Sequence, residues 1–400
     1  MISFHAAYKI TLENIHSLNL ETVALLEAAG RVIGQDLHSK VDSPSLDVSL
    51  KDGYALLGAD VRSASPASPV CLRLVGSAAA GGIWQGTVHS GEAVRILSGA
   101  PLPKGADTVV SEEFTRALPG AVNVRCDAGT GRNILAKGAD IHAGQLIVLA
   151  GQRLYPTTVG LLAAAGFSEA PVVRRPRVAV LATGDEVLAP GEPMAQGKLY
   201  ASNLFTLASW CLRYGFGVKT FVLRDDEKAI RTALMSCLEQ YDAVLTSGGA
   251  WKGERDLVVH ILDALGWEKV FHRVRIGPGK AVGFGTFRDK PVFCLPGGPP
   301  SNHMAFLQLG LPGLQKLAGD SQPGLPTTPA VLAETITGQV DWTQFVHGRL
   351  LKEDHRLVFQ PMKSLSRLQE MAQTEAVAMI PEGQERISAG STILVQVLVN

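Results

Sequence analysis

The spacing of apolar positions divides the chain into stretches of different texture. From Leu18 to Val32 it predicts a helix, with Leu25, Leu26 and Ala29 on one stripe and Gly30 placed to end it. Between Val41 and Asp140, brief β-rich runs at 70–75, 93–97 and 108–110 are punctuated by Gly81, Gly82, Gly91, Gly99 and Gly105, which reads as a small all-β domain inserted in the chain. Helical spacing returns at 156–166 with Val159, Leu162 and Ala163 aligned, and the break at Arg174, Arg175 and Pro176 reads as a linker.

Beyond that break the alternation becomes regular. A compact apolar strand at 177–182 is followed by a helical stripe of Leu204, Leu207, Ala208, Cys211 and Leu212. The same offsets recur at Ile230, Ala233, Leu234, Cys237 and Leu238, a strand follows at 241–246, and a third stripe runs through Val258, Ile261, Leu262 and Leu265. Strand and helix in alternation imply right-handed crossovers and a mainly parallel sheet, so an α/β domain is expected from about residue 174 to about 322. The proline-rich stretch 323–329 marks another linker, and the alternating run 391–399 closes a small C-terminal β domain. The expected division is 1–40 with 141–173, an inserted β domain at 41–140, the α/β domain at 174–322 and a C-terminal β domain at 323–400.

Composition narrows the function classes. With 400 residues the chain exceeds what one core serves. Its 37 Lys plus Arg balance 37 Asp plus Glu, so no broad positive field is offered to nucleic acid or to a membrane surface. Any charged partner must be bound locally. The five cysteines are dispersed and form no C-x-x-C pair, which argues against a disulfide framework or zinc knuckle and for a reducing, cytoplasmic setting. No stretch approaches the roughly 18 apolar residues of a membrane span, and charges at Lys9, Glu13, Glu21 and Glu27 break up any signal-peptide core.

Three glycine loops follow expected strands of the α/β domain: Thr183-Gly184, Ser247-Gly248-Gly249 and Pro296-Gly297 with Pro299. Ligands of open α/β sheets bind beyond the carboxyl ends of the strands, where backbone N–H groups favour anions, so these loops form a candidate phosphate rim; each glycine singly is also explained by a tight turn. The acidic residues Asp52, Asp140, Glu186, Asp225, Asp226 and Asp256 read individually as turn formers or helix caps, and as a group would hold Mg²⁺, which takes hard oxygen ligands beside substrate phosphates. Lys280 follows a strand and either reaches a phosphate or is a solvated turn residue. No complete G-x-G-x-x-G, Walker, H-E-x-x-H or G-x-S-x-G motif occurs, so dehydrogenase, P-loop, zinc-peptidase and α/β-hydrolase readings lose their support.

Taken in order, DGYA at 52–55, RILSGAPLPKGADTVV at 95–110, GRNI at 131–134, LATGDE at 181–186, TSGG at 246–249 and LPG at 295–297 resemble the MoeA and gephyrin E-domain family of molybdopterin molybdenumtransferases, over nearly the whole chain. The resemblance implies a four-part subunit with a MogA-like α/β domain, in which 1–40 and 141–173 serve dimerisation and the site lies between the subunits of a homodimer. It implies a reaction in which molybdenum from molybdate enters adenylylated molybdopterin with Mg²⁺-dependent release of AMP, and a molybdopterin adenylyltransferase as a further partner. By motif position it assigns catalysis to Asp52, Asp140, Glu186, Asp225 and Asp256, with Asp52, Glu186 and Asp256 as metal ligands. Substrate contacts fall to Ser98, Thr183, Gly184, Ser247, Gly248, Gly249, Arg273, Lys280, Pro296, Gly297, Pro299, Ser301 and Ser366.

Departures from the family pattern cluster on the oxyanion side. Trp251 and Lys252 occupy a loop that is usually small, Gly277 stands at a basic position, Ala281 replaces a proline, and His347 stands where an arginine is usual, with Arg349 two positions on. Lys252 and Arg349 are therefore expected to supply charge lost at 277 and 347. The alternatives kept open by these loops are a catalytically weak molybdopterin-binding scaffold of the same fold and a variant using tungstate.

Overall fold

The computed structural model describes residues 1–126, 128–248, 257–353, 355–362 and 367–399. Its centre is a six-stranded sheet. In chain order its elements are β1 (Arg177–Thr183), α1 (Ser202–Arg213), β2 (Gly217–Leu223), α2 (Glu227–Gln240), β3 (Ala243–Ser247), α3 (Leu257–Leu265), β4 (Glu268–His272), β5 (Gly283–Phe287), β6 (Lys290–Leu295) and α4 (Pro299–Ala305). The strand order is β2-β1-β3-β6-β5-β4, parallel from β2 to β6 and antiparallel from there to the edge. Successive residues of β1 enter different cores: Val178, Val180 and Ala182 face α1, while Ala179 and Leu181 face α2 and α3. A strand covered on both faces must be apolar throughout, which is why 177–182 carries no alternation.

The expected stripes of α1 and α2 are buried at Leu204, Leu207, Ala208, Cys211, Ile230, Leu234, Cys237 and Leu238. Leu212 departs from this and stays 62% exposed, because the stripe turns off the sheet before the helix ends. Asp226 is the N-cap of α2, its carboxylate accepting the Ala229 N–H at 2.7 Å.

Two expectations are corrected at the N-terminus. A helix covers Phe4–Glu13, capped by the Ser3 hydroxyl, and its Ala7, with Ile15 beyond it, packs into the α/β core; residues 2–15 thus stand apart from the expected grouping of 1–40 with 141–173. Within 18–32, only Leu25–Ala28 is helical, and Leu20–Ala24 is a strand paired antiparallel with Glu169–Val173. The distant partner strand supplies a hydrogen-bond ladder that local spacing does not reveal. The expected linker at 174–176 is also anchored. The Arg174 guanidinium holds both oxygens of Asp242 at 2.9 and 2.8 Å, and the Arg177 N–H donates to the same carboxylate at 2.7 Å.

Residues 53–56, 70–78, 92–96, 108–111, 115–118 and 121–124 form a six-stranded sheet with apolar side chains on both faces. Near the C-terminus, strands 343–353, 356–361, 327–332, 392–397 and 376–380 pair in that order, and the last returns to the first, closing a small barrel. The barrel is bolted to the α/β unit through Val274–Gly277, which pairs in parallel with 343–353 (Ile276 with Thr343, Gly277 with Gln344) and on its other side with Ile2–Ser3. Buried rings reinforce this seam. The Trp210 indole N–H donates to Nε2 of His303 on α4 at 3.0 Å, and His303 lies edge-on to His347 of the barrel with centroids 6.3 Å apart.

Burial, with His347 nearby, pushes the His303 pKa down to about 4. A histidine held neutral contributes stability above its unfolded pKa of about 6.5 and loses it as pH falls towards the folded value, about 3 kcal/mol in all. Thermal melts across pH 4–7 should therefore show stability falling through this window, with a flatter profile in His303→Gln. Asp242 shifts the other way: burial alone would raise its pKa, but Arg174 and the Arg177 N–H outweigh it and the net direction is down. Its contribution is present above the normal carboxylate range and lost in acid, and Asp242→Ala should lower the urea midpoint by about 2–4 kcal/mol equivalent at pH 7.

Candidate functional site

A cleft of about 860 Å³ opens at the carboxyl ends of the parallel strands. Its floor is Thr183 at the end of β1 with Gly184 after it, Gly248 after β3 and Pro296, Gly297 and Gly298 after β6; Ser301 of α4 and Leu257 and Val258 of α3 complete that side. The facing wall is Ile276–Ala281 with Gln339, Trp342 and Gln344 from the barrel. This is where open α/β sheets bind ligands.

Close approach explains the glycines. Gly248 adopts φ +98°, and a Cβ there would lie 2.8 Å from the Thr183 carbonyl oxygen, so only glycine lets the β1 and β3 ends meet. At Gly184 a Cβ would sit 2.6–2.8 Å from the Glu186 carboxylate, so this acid occupies space that glycine vacates beside the cleft. Asp185 accepts the Asp225 N–H at 3.3 Å, tying the β1 and β2 loops together, while the cap made by Asp226 leaves Asp225 as the residue lining the cleft. Two carboxylates, Glu186 and Asp225, and one cation, Lys280, therefore line the cleft among the described residues.

The floor is clamped from below. The Ser247 hydroxyl accepts from Asn203 at 3.2 Å and from Asn302 at 3.0 Å; these amides also donate to the carbonyls of Gly297 (2.8 Å) and Pro296 (2.9 Å), respectively. Ser247 thus fixes the loops, and it is Gly248 that lines the cleft. Asn302 is 1% exposed, so its two bonds have no water to replace them.

Of the residues assigned by motif, Thr183, Gly184, Glu186, Asp225, Gly248, Lys280, Pro296, Gly297 and Ser301 are brought together. Pro299 opens α4 without lining the cleft. Asp52 and Ser98 meet each other instead, Asp52 accepting the Ser98 N–H at 2.7 Å in the inserted β sheet's loops, and Asp140 lies in an exposed turn whose N–H donates to Ser43. None of the three lines the cleft of its own chain. Among the described residues no group of three or more His, Cys, Asp or Glu side chains is placed to hold a metal. Arg273 adopts a left-handed φ of 71° at the turn into 274–277 and lies outside the lining. Arg349 is exposed, bonded to Gln373 and outside the lining of this chain's cleft, and His347 is buried with Nδ1 3.7 Å from Glu370. Gly249, Lys252, Asp256 and Ser366 lie outside the described residues.

Sequence reasoning missed Asn203, Asn302, Gln339, Trp342 and Gln344. A signal existed for Asn302, directly after the glycine-proline loop, and for Trp342, a lone aromatic in the polar run GQVDWTQ.

These features define a multidomain α/β protein whose strand-end cleft pairs an acidic, glycine-lined floor with a wall from a separate barrel. Sequence models of the MoeA N-terminal region (domain I and II), of a probable molybdopterin binding domain and of the MoeA C-terminal region (domain IV) match residues 2–166, 179–316 and 329–398. The chain is 30% identical to molybdopterin molybdenumtransferase 2 of Mycobacterium tuberculosis over 99% of both chains, and 31% identical to molybdopterin molybdenumtransferase of Nostoc sp. over 94% of this chain and 88% of that one. Two crystal structures of the molybdopterin biosynthesis MoeA protein from Pyrococcus horikoshii superpose with TM-scores of 0.82 and 0.80, at 30% and 26% identity, covering 99–100% of each chain. The chain belongs to the MoeA family.

Asn302→Ala should cost about 1–3 kcal/mol by leaving the Pro296 carbonyl and Ser247 hydroxyl short of a buried donor, read as a lower melting temperature. Asn203→Ala, at a more exposed position, should cost less.

Proposed function

We propose that this protein is a molybdopterin molybdenumtransferase of molybdenum cofactor biosynthesis, which transfers molybdenum from molybdate to the dithiolene sulfurs of adenylylated molybdopterin and releases AMP. The observation that carries the reading is the convergence of Glu186 and Asp225 on a glycine-lined strand-end cleft in a chain that matches the family throughout. Cleaving an adenylate places charge on phosphate oxygens, and the donors here suit Mg²⁺: two hard carboxylates, one of them held in the space above Gly184. Mg²⁺ would supply offsetting charge at the phosphoanhydride, with Glu186 and Asp225 as its protein ligands. Backbone N–H groups of the glycine loops orient the phosphates, and Lys280 attracts the molybdate dianion.

Asp52, Ser98 and Asp140 fit this reading through a homodimer in which the partner's inserted β domain approaches the cleft. Supply of the substrate calls for a molybdopterin adenylyltransferase, and a reducing cytoplasm suits the dispersed cysteines, which form no disulfide. One observation favours the weaker, scaffold-like reading: Lys280 is the one cation lining the cleft among the described residues, since His347 is buried and Arg349 turned away. Tungstate in place of molybdate is separated by direct competition.

Purified protein given adenylylated molybdopterin, molybdate and Mg²⁺ should release AMP and form active cofactor. Glu186→Gln and Asp225→Asn should each slow AMP release by about 100-fold or more with unchanged melting temperature. Mixing Glu186→Gln with Asp52→Ala protein should restore part of the activity, because one of the two sites in a mixed dimer is intact. No AMP release by the wild-type chain would leave the scaffold reading standing.

A further inference from the structure

We propose that the barrel wall of the cleft, Trp342 with Gln339 and Gln344, is the part that recognises the pterin end of the substrate, an assignment that rests on the function proposed above. Trp342 is the one aromatic side chain among the described residues that line the cleft. It is half-buried, and its ring is held by Lys280, whose Nζ lies 5.2 Å from the ring centroid, within the range of a cation–π contact. A fused, planar heterocycle finds no other aromatic stacking surface among the described residues of this lining.

The two carboxamides give the wall an edge as well as a face. Gln344 Oε1 accepts the Gln339 N–H at 3.1 Å, which fixes the carboxamide and turns its amino group away from that bond; no described residue accepts from it. Glycines on either side make room for this side chain. A Cβ at Gly338 would lie 2.5 Å from Gln344 Oε1, and one at Gly277 would lie 3.4 Å from its Cγ. The pterin pyrimidine edge presents an amino group, a ring N–H and a carbonyl, the pattern that a carboxamide pairs with as donor and acceptor.

Adenine is planar too, and position decides between the two ends. In the adenylylated substrate the dithiolene is attached to the pterin, whereas adenine lies beyond the phosphoanhydride. The cation that attracts molybdate is Lys280, in contact with the Trp342 ring, whereas the carboxylates suited to the phosphoanhydride stand in the loops that follow β1 and β2, on the α/β side of the cleft. A pterin on Trp342 therefore brings its sulfurs next to the incoming oxyanion and its phosphate towards Glu186 and Asp225; adenine on Trp342 would reverse both.

The test is equilibrium binding of molybdopterin and, separately, of AMP to the full chain by calorimetry. Trp342→Ala should weaken molybdopterin by about tenfold or more while AMP changes less than about twofold, and Trp342→Phe, which keeps a ring, should stay within about threefold of wild type. Gln344→Leu should weaken molybdopterin alone. Equal weakening of both ligands, or of AMP only, overturns the assignment, as does unchanged molybdopterin affinity in Trp342→Ala. Melting temperatures identify a variant that has lost its fold, in which case Trp342→Phe and Gln344→Leu decide. Failure of the wild-type chain to bind molybdopterin would sink the functional reading as well, whereas wild-type binding that Trp342→Ala leaves untouched sinks only this inference.

Discussion

The parallel pairing of 274–277 with 343–353 is the contact on which the cleft depends. The α/β sheet alone would offer a shallow, open rim, as any set of parallel strand ends does. Through this pairing the barrel supplies a second wall, and the loop Pro278–Lys280, packed close to Ser301 and Ala305 of α4, lines the same cleft as Thr183, Gly248 and Pro296. The strand is a shared element: its chain neighbours β4 and β5 belong to the central sheet, and its hydrogen bonds go to the barrel. The seam is further held by reciprocal amide bonds between Gln308 and Gln396 at 2.6 and 3.0 Å and by the Tyr8 hydroxyl donating to the Pro323 carbonyl at 2.7 Å. The N-terminal helix thus takes part in fixing the barrel although it is remote from it in sequence.

A chain with no net charge binds a polyanionic substrate by sorting charge locally. The carboxylates of Glu186 and Asp225 and the ammonium of Lys280 line one cleft, the acids after β1 and β2 and the lysine on the segment that joins the barrel. The floor's rigidity comes from neutral groups. Asn203 and Asn302 hold the Ser247, Pro296 and Gly297 loops through amide hydrogen bonds, so the loops stay in register whether or not the carboxylates are neutralised by ligand.

The α/β core was legible because its signal is local and repeated. Stripes in α1 and α2, and an uninterrupted apolar β1, follow from burial on helical and double-covered geometries. Part of the cleft floor was legible too, since Gly184 and Gly248 stand at strand ends in backbone conformations that side chains rarely adopt. What escaped depends on partners distant in sequence. Leu20–Ala24 is a strand because Glu169–Val173 lies alongside, Arg174 is anchored because Asp242 is 68 residues away, and Trp342 and Gln344 join the cleft because the barrel docks there. Asp52 shows the converse. Its motif is plain in the sequence, yet its carboxylate holds the Ser98 turn within its own domain.

Substitution of a cation by a buried ring at His347 also has an energetic logic. A guanidinium facing His303 at this depth would need full pairing to offset its desolvation, whereas an imidazole is accommodated by shedding its proton. Burial lowers the pKa of His347, an effect opposed by Glu370, and it lowers that of His303, so two neutral rings pack where a single charge would strain the seam. The seam thereby carries no buried charge at these two rings. In this chain the junction holds His347 as a neutral, buried ring, while Lys280 remains as a cation in the cleft lining.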